Sequence, residues 1–148
     1  MNGRVTRVSG PVVAGTDLPD ARILDVVRVG DARLLGEVIG IDEEQVVLQV
    51  FEDTTGLRVG EPVTGTGEEL HAELGPGLLG SVLDGTGRPL AVLQRDAGTY
   101  VPRGVDPPTL DRDRLWEFTP TVEVGDLVEP GDVCGSVPEG SVLSHRVL

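Results

Sequence analysis

The side chains that most often carry catalysis or bind metals are few and widely spaced in this 148-residue sequence. Its soft ligands are Cys134, His71 and His145, and no two of them have the close spacing of a zinc site. Ser144 precedes His145, but a nucleophile also needs a third group that orients the histidine. The carboxylates of residues 42–44 (Asp-Glu-Glu) fall in a predicted solvated turn. We therefore expect no catalytic residue and no metal ligand in this chain.

Two glycine-rich units, Gly65-Thr66-Gly67 and Gly85-Thr86-Gly87, resemble short pieces of phosphate-binding loops. Such a loop uses a lysine to reach the phosphates, and all 12 basic residues of this chain are arginine. The lack of lysine also excludes Schiff-base chemistry and a lysine-linked cofactor. Both units are therefore predicted to be turns, and we expect no cofactor to bind to this chain.

The net charge of −13 is spread along the sequence, with 13 acidic residues and 6 arginines through Leu70 and 12 acidic residues and 6 arginines after it. A nucleic-acid partner needs a basic face, so we expect none. The start of the chain is polar, unlike a signal peptide, and no apolar run approaches the ~20 residues that span a bilayer. A single cysteine excludes an internal disulfide. Together these features predict a cytosolic chain without direct membrane insertion.

Short apolar runs separated by glycine and proline predict a mainly β fold. In residues 45–51 the apolar side chains alternate, and similar runs at 3–8, 24–29 and 34–41 predict a small closed β-barrel. Aromatic residues make up only 3% of the chain, so the core must consist of valine and leucine.

The later segments are less regular. Residues 65–69 are predicted to form a turn, residues 78–83 either a helical turn or a strand, and residues 91–108 an extended linker. In residues 122–132 a repeated valine-Gly-Asp unit predicts short strands joined by tight turns, similar to the half-barrels of lipoyl and biotinyl carriers. The chain ends at 145–148 within a predicted strand, so we expect an incomplete domain.

Four segments carry a family resemblance, and together they cover the whole chain. They are GRVTRVSGPVV from Gly3, residues 35–57, residues 60–90 with their GEPV and ELGPGLLGS runs, and residues 103–139 with WEFTP and GSVPE. In these segments the chain resembles the N-terminal part of the catalytic A subunit (alpha chain) of V/A-type rotary ATPases.

The resemblance implies three parts: an N-terminal β-barrel at 1–67, a linker into an absent nucleotide-binding domain at 68–110, and the first half of a barrel-sandwich-like bulge insertion at 111–148. It implies that the full-length protein is an enzyme that hydrolyses or synthesises ATP, uses Mg-ATP and couples to proton or sodium transport. The family's catalytic residues lie further along the chain, so none is carried over. The implied partners are the B subunit and the other subunits of a soluble hexameric head that is peripheral to the membrane. The alternative is a stand-alone β-barrel protein-interaction module.

Overall fold

The structure, a computed structural model, describes residues 2–43, 45–98, 100–141 and 143–148. Six antiparallel strands form a closed barrel in the order β1-β2-β5-β4-β3-β6, and β6 pairs back with β1. The strands are β1 (Asn2–Ser9), β2 (Val12–Thr16), β3 (Asp25–Val29), β4 (Leu34–Asp42), β5 (Gln45–Val50) and β6 (Pro62–Glu69). The predicted mainly β fold with an N-terminal closed barrel is confirmed.

The interior of the barrel follows the alternation of its strands. In β5 the side chains of Val46, Leu48 and Val50 point inward and are at most 4% exposed. The buried core cluster contains only valine and leucine, as the low aromatic content predicted. Valine is β-branched, leucine is also branched, and neither side chain carries a polar atom. Such side chains suit the interior that the pleated strands enclose.

Glycines allow the strands of this small barrel to approach closely. A Cβ atom on Gly36 of β4 would lie 2.8 Å from the backbone oxygen of Gln49, and one on Gly3 would lie 2.2 Å from that of Thr16. The register of β4 against β5 shifts between Val38 and Gly40. The prediction that glycines within β4 mark a bulge or a tight bend is therefore confirmed.

The described residues of Ala72–Thr99 and Asp106–Leu148 form a second compact unit, while Tyr100–Val105 belongs with the barrel. The second unit contains a three-stranded antiparallel sheet in the order β7-β8-β9. Its strands are β7 (Thr119–Pro120), β8 (Gly135–Glu139) and β9 (Leu143–Val147).

One helix, α1 (Leu90–Ala97), replaces part of the extended linker predicted for residues 91–108. It begins directly after Pro89 and is capped at its C-terminal end by Gly98, which has a φ of 71° and donates its N–H to the Gln94 oxygen at 3.0 Å. A proline before the first turn and a glycine after the last are helix boundary signals. Just before it, residues 78–83 form neither of the predicted alternatives, and Leu83 makes only an isolated bridge to Pro89.

Residues 122–132 form the predicted tight turns but not the predicted strands. The N–H of Asp126 bonds to the Glu123 oxygen at 3.2 Å, and the Asp126 carboxylate accepts the Glu123 N–H at 2.8 Å. Asp132 and Glu129 repeat this pair of bonds at 3.0 Å and 2.9 Å. The third residue of each turn is a glycine with φ of 107° or 100°, as in a type II turn. Each turn therefore occupies backbone N–H and C=O groups that would otherwise be available for pairing with another strand.

The barrel contains the same carboxylate-closed turn twice. Between Arg22 and Asp25 the backbone bond is 3.1 Å and the carboxylate bond 2.8 Å, and between Arg58 and Glu61 they are 3.3 Å and 3.0 Å. The third residue has a positive φ in both, 92° at Gly60 and 78° at Leu24. Leu24 is therefore in a backbone conformation that side chains rarely adopt.

Candidate functional site

The structure scatters the candidate catalytic and metal-binding side chains. His71 is exposed, with its Nδ1 3.0 Å from the Glu69 backbone oxygen, and Cys134 is a half-buried free thiol. Ser144 is exposed, and the neighbouring imidazole of His145 contacts Glu139. Within residues 2–43, 45–98, 100–141 and 143–148, no three His, Cys, Asp or Glu side chains are grouped so that they could hold a metal ion.

Asp42 and Glu43, from the acidic stretch 42–44, are both exposed. Glu44 lies outside the described residues. Asp42 is the last residue of β4, where it pairs with Gln45 of β5.

The unit Gly65-Thr66-Gly67 is a bulge within β6, so the turn predicted for residues 65–69 is wrong in its extent. Gly65 lies opposite Val27 and Glu69 lies opposite Asp25, which leaves residues 66–68 facing the single residue Val26. The Thr66 hydroxyl donates to the Val26 oxygen at 2.9 Å, and Gly67 has a φ of 79°. A turn-like backbone thus occurs inside a strand, because the excess residues bulge while pairing continues on both sides.

The unit Gly85-Thr86-Gly87 is a turn, as predicted, and it is organised by Asp84. The Asp84 Oδ1 atom accepts the N–H groups of Thr86 at 3.0 Å and Arg88 at 2.9 Å, and also the Thr86 hydroxyl at 3.0 Å. Its Oδ2 atom pairs with Arg88 Nε at 2.8 Å. Partial burial of the carboxyl raises its pKa, but the hydrogen bonds from Arg88 and Thr86 outweigh this and lower the pKa to about 2. The carboxylate therefore stabilises the turn in its charged form.

Glu139, at the end of β8, joins two other parts of the second unit. Its Oε2 atom pairs with His145 Nε2 of β9, and its Oε1 atom accepts the N–H of Gly77 at 2.9 Å. The bond to His145 and then the bond to Gly77 hold the pKa of the Glu139 carboxyl below its usual value. In the same unit, Trp116 is half-buried. The guanidinium carbon of Arg114 lies over its ring, 4.0 Å from the ring centroid.

The segment Tyr100–Val105, here called the strap, contacts the barrel at the end that carries the β3–β4 turn. Arg103 Nη1 donates to the backbone oxygens of Thr55 and, at 3.2 Å, Asp53. The N–H of Gly104 donates to Glu52 Oε2 at 2.7 Å. Because the other Glu52 oxygen accepts the Leu35 N–H at 2.9 Å, this one carboxylate joins the strap to β4.

Gly104 is required in the strap for two reasons. Its φ is 72°, and a Cβ atom there would lie 1.8 Å from the backbone oxygen of Ala32. Both the conformation and the space are available only to glycine. The strap thus fits the barrel through close backbone contact.

In the part of the chain that the structure describes, no helix is long and apolar enough to cross a membrane. The only helix there, α1, has 8 residues.

Two family models match, one in each unit. Residues 5–67 match the beta-barrel domain of the ATP synthase alpha/beta family, and residues 107–148 match the barrel-sandwich domain of the ATP synthase alpha/beta subunits. The chain belongs to the ATP synthase alpha/beta family. The first match spans nearly all of the closed barrel, and the second contains β7, β8 and β9.

Curated members of the ATP synthase alpha/beta family align with almost the entire chain. The A-type ATP synthase A subunit of Thermococcus onnurineus is 50% identical over 146 residues, which are 99% of this chain and 25% of that protein. The V-type ATP synthase alpha chain of a Thermoanaerobacter species is 47% identical over 146 residues, which are again 99% of this chain and 25% of that protein. The resemblance to the N-terminal part of the A subunit is confirmed, and the chain spans about a quarter of the length of these relatives.

A solved structure of the assembled ATPase EscN, from the type III secretion system of enteropathogenic E. coli, is also similar. It has a TM-score of 0.54 and 36% sequence identity, and the match covers 59% of this chain and 21% of that chain.

Sequence reasoning did not single out the carboxylates that organise this ATP synthase alpha/beta family chain, namely Glu52, Asp84 and Glu139. Asp84 had a usable signal, because aspartate before a glycine-rich turn often accepts backbone N–H groups two residues on. Glu52 and Glu139 act on residues 52 and 62 positions away, respectively. Such distant partners leave no local pattern in the sequence.

Proposed function

We propose that this chain is the N-terminal assembly segment of the catalytic A subunit of an A/V-type ATP synthase. In this proposal the barrel at 1–67 joins a ring of neighbouring barrels in a soluble, cytoplasmic head peripheral to the membrane. The B subunit and the other head subunits are its partners. The observation that carries the proposal is the alignment of 99% of this chain with a quarter of the A subunit or alpha chain of its relatives, at 47–50% identity.

The barrel has the physical properties that such a ring needs. Closure pairs each of the six described barrel strands on both sides, so neighbours must pack through side chains on the outer face. That face includes Ile39 of β4, which is 42% exposed, and the half-buried Val47 of β5, whose register partner in β4 is Gly40. These two apolar side chains are available for lateral packing between subunits.

We further propose that ATP chemistry and its coupling to proton or sodium transport belong to the remainder of the full-length protein. Phosphoryl transfer in such enzymes requires a phosphate cradle with its lysine and Mg²⁺. This chain has no lysine, and its glycine-rich units form a bulge and an Asp84-centred turn. Residues 68–110 would then lead into the nucleotide-binding domain, and residues 111–148 would form the first half of the bulge insertion.

The proposal is tested by mixing the chain with the B subunit of the same organism and measuring complex formation by analytical ultracentrifugation. We expect a stable complex that Ile39→Arg weakens and that Ser9→Arg, an exposed control on β1, does not. Titration of Mg-ATP into the isolated chain should give no binding at micromolar concentration. Micromolar binding would contradict the division of labour. A stable complex only with proteins outside the ATP synthase would instead support a stand-alone interaction module.

A further inference from the structure

A groove of about 720 Å³ opens at the end of the barrel opposite the strap. It lies where β2 and β4 end and β5 begins, next to the loop that leads to β3. Its volume falls within the roughly 300–1,000 Å³ typical of ligand-binding clefts. All of its lining residues belong to the barrel unit.

Part of the groove is formed by apolar residues of the barrel core. Leu18 and Val46 line it, and both are members of the barrel core with 5% and 4% exposure. Ile41 lines the groove as well but is 49% exposed, so part of its side chain is open to solvent. An apolar side chain that enters the groove would therefore cover Ile41 and rest on residues that the core holds in place.

Two carboxylates give the groove its charge. Asp17 and Glu43 both line it and are both exposed. Neither side chain has a hydrogen bond or an ion pair with any residue that the structure describes, and the described lining contains no arginine. The barrel region adds to this field, because residues through Leu70 include 13 acidic side chains and 6 arginines. The groove therefore attracts cations.

The backbone holds these two carboxylates in uncommon conformations. Asp17 has a φ of 62° and Glu43 a φ of 37°, whereas most non-glycine residues have a negative φ. Two of the four described non-glycine residues with positive φ thus line this one groove.

We propose that the groove binds a basic amphipathic segment of another protein. An apolar side chain of that segment would cover Ile41, and lysine or arginine side chains on either side would pair with Asp17 and Glu43. A second copy of this chain fits poorly, since its net charge of −13 would be repelled by the acidic groove. This inference goes beyond the proposed lateral packing, which uses the outer faces of strands. It does not depend on whether the B subunit binds to those outer faces.

The test uses the full 148-residue chain and a synthetic 16-residue peptide of leucine and lysine with leucines at helical spacing. A matched peptide has glutamate in place of lysine. Binding is followed by backbone amide NMR shifts. We expect the lysine peptide to shift the signals of residues 16–18, 21, 41, 43 and 45–46 and the glutamate peptide to shift none. Shifts outside the groove, or equal binding of both peptides, would overturn the proposal.

A charge-removal variant, Asp17→Asn with Glu43→Gln, tests whether the two carboxylates act. Asparagine tolerates a positive φ, so the fold is expected to persist. We expect the affinity for the lysine peptide to fall by about tenfold, because two charge-assisted contacts are lost. The control, Asp31→Asn with Asp113→Asn, removes the same charge elsewhere and should change the affinity by less than about twofold through screening. Equal losses in both variants, or groove shifts that appear on concentrating the chain alone, would contradict the proposal.

Discussion

The barrel and the second unit use the same carboxylate-closed turn but differ in what those turns enclose. Of the described residues with buried apolar side chains, all except Leu93 and Val137 lie in the barrel. In the second unit, Leu74, Leu115 and Leu127 are 81%, 94% and 93% exposed. Turn geometry is therefore a local property of four residues, whereas a core requires strands that surround a common interior.

The second unit is instead organised by polar contacts. Asp84 fixes one turn through four hydrogen bonds, and Glu139 joins β8 to β9 and to Gly77. Its strand β7 has two residues, and β8 and β9 have five each. Short strands bury little apolar area, so hydrogen bonds contribute more to the stability of the second unit than to that of the barrel.

The largest effect should come from the barrel core. Leu48→Ala removes a side chain that is 0% exposed, and we expect a loss of about 2–5 kcal/mol in the free energy of unfolding. Leu127→Ala in the second unit should cost less than about 0.5 kcal/mol, because that side chain is 93% exposed. Urea denaturation followed by far-UV circular dichroism measures both. Similar losses in the two variants would remove the contrast between the units.

An intermediate effect should come from Asp84, and it should depend on pH. The carboxyl has a pKa of about 2 in the folded chain, lowered from its ordinary 3.8, so its stabilising effect is complete above pH 3.8 and is lost as the pH falls toward 2. We expect Asp84→Asn to cost on the order of 1–2 kcal/mol at pH 7 and almost nothing at pH 2. The fluorescence of Trp116, the only tryptophan, reports unfolding of this unit.

The matched control for this prediction is Asp96→Asn. Its carboxylate pairs with the adjacent Arg95, but both side chains are more than half exposed. A much smaller difference at pH 7 is expected from this variant. If the cost of Asp84→Asn stays constant from pH 7 to pH 2, the charged form of Asp84 does not stabilise the turn.

The smallest effect should come from the type of turn that occurs in both units. Leu24 holds a φ of 78° at a position where the other three turns have glycine. Leu24→Gly should therefore raise stability by about 0.5 kcal/mol, as relief of backbone strain exceeds the entropic cost of glycine. Ile23→Gly, one residue earlier and without a positive φ, should lower stability by about 0.5–1 kcal/mol. Midpoints of urea denaturation that move in the same direction for both variants would contradict this explanation.

The barrel could be predicted from the sequence because its signals are local and repeated. Val46, Leu48 and Val50 alternate as a half-buried strand requires, and glycine and proline separate the runs. The bulge in β6 could not be predicted, because the choice between turn and bulge depends on the pairing of Asp25 with Glu69. Helix α1 was missed since its 8 residues give a weak periodic pattern, although Pro89 and Gly98 marked its ends.

The contacts that involve distant segments were also beyond the sequence. The strap depends on Glu52, which accepts one N–H from Leu35 and another from Gly104. The groove depends on the meeting of the β2–β3 loop with the end of β4 and the start of β5. Neither arrangement follows from composition or periodicity, because each brings together segments that are far apart in the sequence.

Barrel closure also sets an order of events during synthesis. The pairing of Asn2 with Thr64 means that β1 acquires its second neighbour only after β6 has left the ribosome. Contacts between such distant positions form slowly. A nascent chain that ends before β6 therefore exposes unpaired edges on β1 and β3, and such edges can pair with other chains. The strap emerges later still, so it can dock only after all six barrel strands have been synthesised.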